Sequence, residues 1–208
     1  MAKRREGVYE RIQECAMKEF LAHGFKDASL RRIATNAETA TGSIYTRFKD
    51  KGGLFDSLVA ESYEAFKTHF DHEETLFFAA EKYRNIERMM EFSNEVMEKN
   101  LDMIYQYPRE FKLLITCSAG TKYENIIDEF VDYEVESTKK FLEVIGNKRY
   151  LAGEISDEFL HIISNSYLNG FFEIIRHDMP EEKGRKYLMD FGKFYGCGFS
   201  CFMKNEIS

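Results

Sequence analysis

Three short apolar stripes at helical spacing, each closed by turn residues, fill the first fifty positions, and this pattern leaves few folds open. In "REGVYERIQECAMKEFLAHGF" the positions Val8, Ile12, Cys15, Ala16, Glu19/Phe20 and Leu21 approximate one helix face, and Gly24 stands where a helix ends in a left-handed residue. Phe25 is then expected to fold back on the stripe. Asp27 or Ser29 can N-cap a second helix in "SLRRIATNA", with Leu30, Ile33 and Ala34 inward and Arg31 and Arg32 outward. A turn follows around Asn36 to Thr39. The third helix is placed over "TATGSIYTRFKDK", with Ile44 and Phe48 as an i, i+4 core pair. Three short helices in this order make a helix-turn-helix layout.

Beyond residue 50 the sequence continues to read as helix. The breaks fall near Gly120, Gly146–Asn147, Ala152–Gly153 and Pro180, which predicts helices over about 51–71, 83–106, 108–118, 122–145, 155–178 and 181–204. Only two prolines occur in 208 residues, and no strand alternation, internal repeat or low-complexity run competes with this all-α reading. Residues 1–50 are read as one domain, with residues 51–208 as a second, larger helical one.

Charge separates the same two regions. Residues 1–51 hold eleven Lys/Arg against seven Asp/Glu, although the whole chain has a formal net charge of −7. A basic segment on an acidic chain points to an anionic partner for that segment. The third helix gives this partner a shape. Thr41 and Ser43 offer hydroxyls at close range, Gly42 removes a side chain that would hold a groove away, and Tyr45, Lys49 and Lys51 are suited to flanking phosphates. A helix with that surface fits the major groove of duplex DNA.

The pieces "KEFLAHGF", "ASLRRIA" and "NAETATGSIYTRFKDKGGLF", in this order over residues 8–58, resemble the TetR family of ligand-responsive transcriptional regulators. The resemblance implies an N-terminal three-helix DNA-binding domain and a larger helical domain for ligand binding and dimerisation. It places Arg31, Thr41, Ser43, Tyr45, Arg47 and Lys51 at DNA-facing positions, with Lys49 beside them. It also implies a homodimer on a palindromic double-stranded operator, acting as a repressor released by a small-molecule effector. Two positions depart from the family pattern. Glu38-Thr39 replaces the usual Gly-Val of the turn, and Thr41 stands where Lys often precedes the central glycine. Glu38 is expected to cap the third helix, where a carboxylate meets the positive end of the dipole.

In the second region, "KYRNIERMMEFSNEVMEKNLDMIYQY" puts Ile86, Met89/Met90, Ser93, Met97, Leu101 and Ile104 on one face, an adaptable apolar lining. Met89, Ser93 and Met97 here, with Tyr63, Phe66 and Phe70 on the fourth helix, are the candidate ligand-binding residues. Gly52-Gly53 at the start of that helix reads as a soft joint. The final helix joins Phe191, Tyr195 and Phe199 to Gly192 and Gly196, and these five are the candidate dimer interface through close helix approach.

Other chemistries find less support. The four cysteines include no CxxC pair, and His69, Asp71 and His72 lack HExxH spacing and are read as a solvated helix end, so neither metal nor cofactor is expected. No run of about 18 apolar residues is present to cross a bilayer, and "MAKRREGVYE" has no apolar h-region, which predicts a cytoplasmic protein without membrane contact. Two alternatives stay open: a helical enzyme using Cys117 with a remote histidine, and an interaction protein whose helix-turn-helix is unused.

Overall fold

A computed structural model describes residues 7–204. The helices are α1 (Val8–Asp27), α2 (Leu30–Asn36), α3 (Thr41–Phe48), α4 (Lys51–Ala79), α5 (Ile86–Gln106), α6 (Pro108–Lys112), α7 (Ile126–Val144), α8 (Lys148–Leu151), α9 (Asp157–Arg176) and α10 (Glu181–Lys204). A 3₁₀ turn, Glu81–Tyr83, precedes α5, and a π-helical turn, Leu113–Cys117, extends α6. No strand occurs among the described residues, so the protein is all-α as its periodicity predicts. The outer ends of the two expected domains, with the cations Lys3, Arg4 and Arg5, lie outside the described residues.

Packing divides the chain into two units. One holds residues up to Ala65 together with Tyr107–Ile126, and the other holds Phe66–Gln106 with residues from Ile127 onward. The packing boundary thus falls inside α4, fifteen residues after the expected domain boundary at 50/51. The reason lies in the first unit's core. Phe55 of α4 sets its ring edge against Phe20 and Phe25, with centroids 5.2 and 5.6 Å away, and packs near Tyr123. The start of α4 therefore completes the core of the first three helices.

Within this unit, local chemistry sets each break. Gly24 takes φ 69° and interrupts α1, and Phe25 returns to stack on Phe20 at 5.9 Å. Ser29 caps α2, its Oγ accepting from the Arg32 N–H at 3.4 Å. Glu19, placed on the apolar stripe by its spacing, is buried and accepts both from the Ser29 N–H at 2.7 Å and from the Arg32 guanidinium at 2.6 Å. Glu38 does not cap α3. Ala40 holds the N-cap position with no side-chain bond, while Glu38 occupies the turn itself with φ 51°, the left-handed conformation usually taken by glycine.

The end of α3 differs from the expected run to Lys51. Phe48 O accepts from the Asp50 N–H at 2.9 Å around Lys49, which has φ 69° and ψ −55°, and this γ-turn stops the helix. Asp50 then caps α4, accepting from the Gly53 N–H at 2.8 Å. A methyl group on Gly53 would lie 1.9 Å from Phe48 O. The Gly52-Gly53 pair is therefore a capped, close-packed first turn rather than a soft joint.

The second unit keeps the expected α5 stripe, with Ile86, Met97, Leu101 and Ile104 buried. Helix α4 runs eight residues past its predicted end, because the segment after Asp71 lacks Gly and Pro and carries Glu73 and Phe77 inward. His69 and His72 accordingly sit within a helix, and His69 is half-buried. The expected break over 146–153 contains the short α8, capped by Asn147, whose Oδ1 accepts from the Tyr150 N–H at 3.0 Å.

Gly53 and Gly42 give opposite expectations on substitution. Gly53→Ala forces Cβ into a backbone carbonyl and should cost about 1–3 kcal/mol. Nothing lies within 4 Å of a Cβ on the helical, exposed Gly42, so Gly42→Ala should add about 0.5–1 kcal/mol by helix propensity. Urea denaturation of both variants checks the pair, and equal shifts would contradict this geometry.

Candidate nucleic-acid interface and internal cavity

The outward surface of α3 is built by the burial of its inner side. Ile44 and Phe48 are buried, which turns Gly42, Tyr45, Thr46 and Arg47 to solvent and leaves Thr41 and Ser43 half-exposed. Tyr45 is 53% exposed. Several of these groups are already oriented by short-range bonds. Thr39 Oγ1 donates to Ser43 Oγ at 3.0 Å, Thr46 Oγ1 to Gly42 O at 2.8 Å, and Arg47 Nη1 to Ser43 O at 3.2 Å. Arg31 is exposed on α2, and Lys49 is exposed in the γ-turn.

Lys51 has a role that its place in the motif does not suggest. Its ammonium donates to Lys26 O and Ala28 O, each at 3.0 Å, and lies 4.8 Å from the centroid of the Phe25 ring. It therefore ties the start of α4 to the end of α1 and keeps one of its three N–H donors for another acceptor. Structure thus places all seven sequence-derived candidates on α2, α3 and the turn into α4. Arg47 bonds a carbonyl of its own helix, whereas Lys51 is held by two carbonyls outside its own helix.

In the second unit, α4, α5, α7 and α9 enclose a cavity of about 120 Å³. Five of the six candidate ligand residues, Phe66, Phe70, Met89, Ser93 and Met97, line it. Tyr63 does not. It belongs to the first unit, where its ring meets Tyr123 edge-on at 5.1 Å. A smaller cavity of about 90 Å³ shares Met89, Ser93, Glu134 and Tyr167 with the first and reaches α10.

Apart from Ser93, the polar members of the wall escaped the sequence reading. Glu73, Asn100 and Glu134 line the larger cavity, yet each stands at helical spacing from apolar residues: Glu73 between Phe66 and Phe77, Asn100 after Met97, and Glu134 after Phe130. A carboxylate or amide on an apolar stripe was the available signal. Glu73 Oε1 accepts from Lys99 Nζ at 2.7 Å, and Tyr133 donates its hydroxyl to Glu74. Among the described residues, Glu73 Oε2, Asn100 Oδ1 and His69 Nε2 are buried atoms without a hydrogen-bond partner. Burial holds the His69 pKa below its usual value, so the ring is neutral near pH 7.

The proposed interface residues on α10 sit mainly within the chain itself. A methyl on Gly196 would fall 2.0 Å from Met90 Cε and one on Gly192 2.9 Å from Asn94 Oδ1, so both glycines admit α5. Phe191 packs over Gly170 of α9 and stacks on Tyr167 at 5.6 Å. Tyr195 and Phe199 line the smaller cavity, and Phe199 also borders an open apolar groove with Phe194 and Phe202. The close approach expected between subunits is thus made between helices of one chain. On α9 and α10 the large apolar side chains that do face outward are Ile162, Met189 and Phe194, the last 76% exposed.

A three-helix unit with its third helix turned to solvent defines the helix-turn-helix class. Residues 12–58 match the family described as "Bacterial regulatory proteins, tetR family". The HTH-type transcriptional regulator SAR2658 of Staphylococcus aureus (strain MRSA252) is 30% identical over 108 residues, covering 52% of this chain and 51% of that protein. SAUSA300_2515 of S. aureus (strain USA300), also an HTH-type transcriptional regulator, is 30% identical over 133 residues, or 59% of this chain and 65% of its own length. The chain therefore spans about half to two thirds of the curated relatives it matches. Native NalD, described as the secondary repressor of the MexAB-OprM multidrug efflux pump in Pseudomonas aeruginosa, shares the fold with a TM-score of 0.53 at 14% identity, over 90% of this chain and 96% of NalD. Over residues 12–58, then, the chain is similar to the TetR family. Its relatives are regulators rather than enzymes, and Cys117 is a buried thiol 3.3 Å from Thr116 Oγ1.

Glu134 makes the cavity wall pH-sensitive. Burial, and then the neighbouring Glu74 carboxylate, push its pKa up to about 7 from an ordinary 4.5, with Tyr167 of α9 also near. The folded chain binds this proton more tightly than the unfolded one, so stability falls as pH rises from about 4.5 to 7. Glu134→Gln should match the wild type near pH 4 and exceed it by about 3 kcal/mol at pH 8. Denaturation midpoints at the two pH values test this.

Proposed function

We propose that this chain is a transcriptional repressor that binds a palindromic operator as a homodimer and leaves it when a small molecule enters the α4–α5–α7–α9 cavity. In this reading residues 1–50 recognise DNA, residues 51–208 bind the effector and the second subunit, and the protein acts in the cytoplasm. The observation that carries it is the outward face of α3, where small and hydroxyl side chains are flanked by Tyr45, Arg47 and Lys49. Thr41 and Ser43 read base edges, while Tyr45, Lys49 and the remaining donor of Lys51 hold phosphates. Arg31 adds a contact from α2.

Dimerisation uses the outward apolar residues of α9 and α10. Ile162, Met189 and Phe194 are the large side chains on that surface, and an apolar groove beside Phe194 supports the same assignment. Helix α4 links the two activities. Its first half carries Leu54 and Phe55 into the core of the first unit, and its second half carries Phe66 and Phe70 into the cavity wall. An effector that displaces the second half changes the setting of α3. Linkage then requires operator DNA to weaken the effector by the factor with which the effector weakens DNA, typically about 5–150-fold.

DNA selected by the protein from random fragments should contain inverted repeats with half-site centres about 34–36 Å apart or a multiple of it. Log affinity should fall with log salt by about 0.9 per neutralised phosphate. Tyr45→Phe should weaken selected and random DNA alike, whereas Thr41→Ala and Ser43→Ala should shift base preference at defined positions by about 1–3 kcal/mol. Uniform loss in the Thr41 and Ser43 variants would sink their base-reading role.

The dimer has its own test. Phe194→Glu should dissociate it and reduce operator affinity, as read by sedimentation at micromolar concentration. Gly196→Leu collides with Met90 of the same chain and should act on folding rather than on assembly. A Phe194→Glu protein that remains dimeric removes this surface from consideration.

A further inference from the structure

The cavity's wall shows which chemical class it accepts. Three carboxyl groups, Glu73, Glu74 and Glu134, line it, and among the described residues no Lys, Arg or His does. Two acceptors on the wall lack a partner among the described residues: Glu73 Oε2, on a residue 5% exposed, and Asn100 Oδ1, on one 6% exposed. A buried acceptor is normally paired, so two on one wall mark a place for a donor. Lys99 engages only Glu73 Oε1, from a side chain that is half in solvent, and Tyr133 engages Glu74. Neither supplies a donor to Oε2.

Aromatic rings make up much of the remaining wall. The pairs Phe66–Phe130, Phe70–Phe130 and Phe70–Tyr133 pack edge-to-face or tilted with centroids 5.0–5.4 Å apart, and all four rings line the space. Ring faces carry the negative part of the quadrupole and attract cations. An anion entering here would meet three carboxyl groups, of which Glu73 alone has a cation beside it, Lys99. A neutral alcohol would satisfy an acceptor but leave the carboxylates uncompensated.

We propose that the cavity selects an organic cation, a protonated amine on an aromatic or aliphatic body, with its N–H groups directed to Glu73 Oε2 and Asn100 Oδ1. This deepens, and rests on, the reading of the cavity as the effector site. The ammonium meets the two unpaired acceptors while the body lies among Phe66, Phe70 and Phe130. Glu134 lies on the wall shared with the smaller cavity, where a longer body or a second amine would reach it.

Three probes with one body separate the possibilities: phenylbutylamine, phenylbutanol and phenylbutyrate, titrated calorimetrically into the full wild-type chain at pH 7.5. The amine should bind at least about tenfold more tightly than the alcohol, and the carboxylate more weakly than either, because bonds to charged groups are the stronger ones. Glu73→Gln should cost the amine about tenfold and leave the alcohol within about twofold. The wild-type comparison needs no variant, so a misfolded mutant cannot decide it. Equal affinity for amine and carboxylate, or no amine binding at millimolar concentration, overturns the proposal. A fragment of DNA selected by the protein separates this from the parent reading. An amine that binds in this order without changing DNA affinity keeps the cation site and removes the effector role. Release of DNA by all three probes alike keeps the effector role and removes the cation preference.

Discussion

Glu19 is a carboxylate buried at the junction of α1 and α2, and the geometry of the helix-turn-helix unit hangs on it. Its oxygens accept from the Ser29 N–H that opens α2 and from Nε and Nη2 of Arg32 one turn later. Burial alone raises the pKa of such a group, yet Arg32 and the Ser29 N–H outweigh that and leave it below the usual value. The carboxylate is therefore ionised near neutral pH. Its stabilising effect is present above the ordinary glutamate range and fades as acid protonates it. Because both partners lie in the first turn of α2, the pair sets the direction in which α2 leaves α1, and α3 follows through a turn of only four residues.

The path from α2 to α4 contains two left-handed residues that are not glycine, Glu38 at φ 51° and Lys49 at φ 69°. Each costs roughly 1–2 kcal/mol relative to an unstrained conformation. Both flank α3, so this helix is held between two strained turns whose conformations the surrounding core must impose. At the second turn the core does this by contact. Phe48 O sits where Gly53 has no side chain, Asp50 caps α4, and Lys51 clamps the end of α1. The residue that the family pattern places at a phosphate is thus also part of the frame that positions α3.

How much of this was legible in the sequence follows from the range of each interaction. Helices α1 and α2, the break at Gly24 and the inward pair Ile44/Phe48 depend on periodicity and local propensity, and they stand where those placed them. The γ-turn at Lys49 and the role of Gly53 depend on one carbonyl meeting one α-carbon, which no residue pattern announces. Apolar stripes predicted burial well but not the partner. Gly192, Gly196 and Phe191 read as surfaces awaiting a second subunit, whereas α5 and α9 of the same chain occupy them. A glycine reveals close approach and is silent on what approaches.

The cavity shows the same division from the opposite side. Phe66, Phe70, Met89, Ser93 and Met97 were visible because a stripe of adaptable and aromatic side chains lines either a core or a pocket. What distinguishes the two is polarity placed against the stripe. A well-packed core would hold no carboxylate at the positions of Glu73 and Glu134, since an ionised group there pays desolvation and is otherwise kept only when paired. Glu73 is half-paired through Lys99, and Glu134 moves its pKa towards neutrality instead. Packing between α4, α5, α7 and α9 therefore carries a standing electrostatic cost, concentrated on the wall of one cavity, that folding alone does not require. Side chains arranged in that way make the empty unit less stable than an apolar core of equal size, and any occupant that satisfies them gains affinity from the same cost.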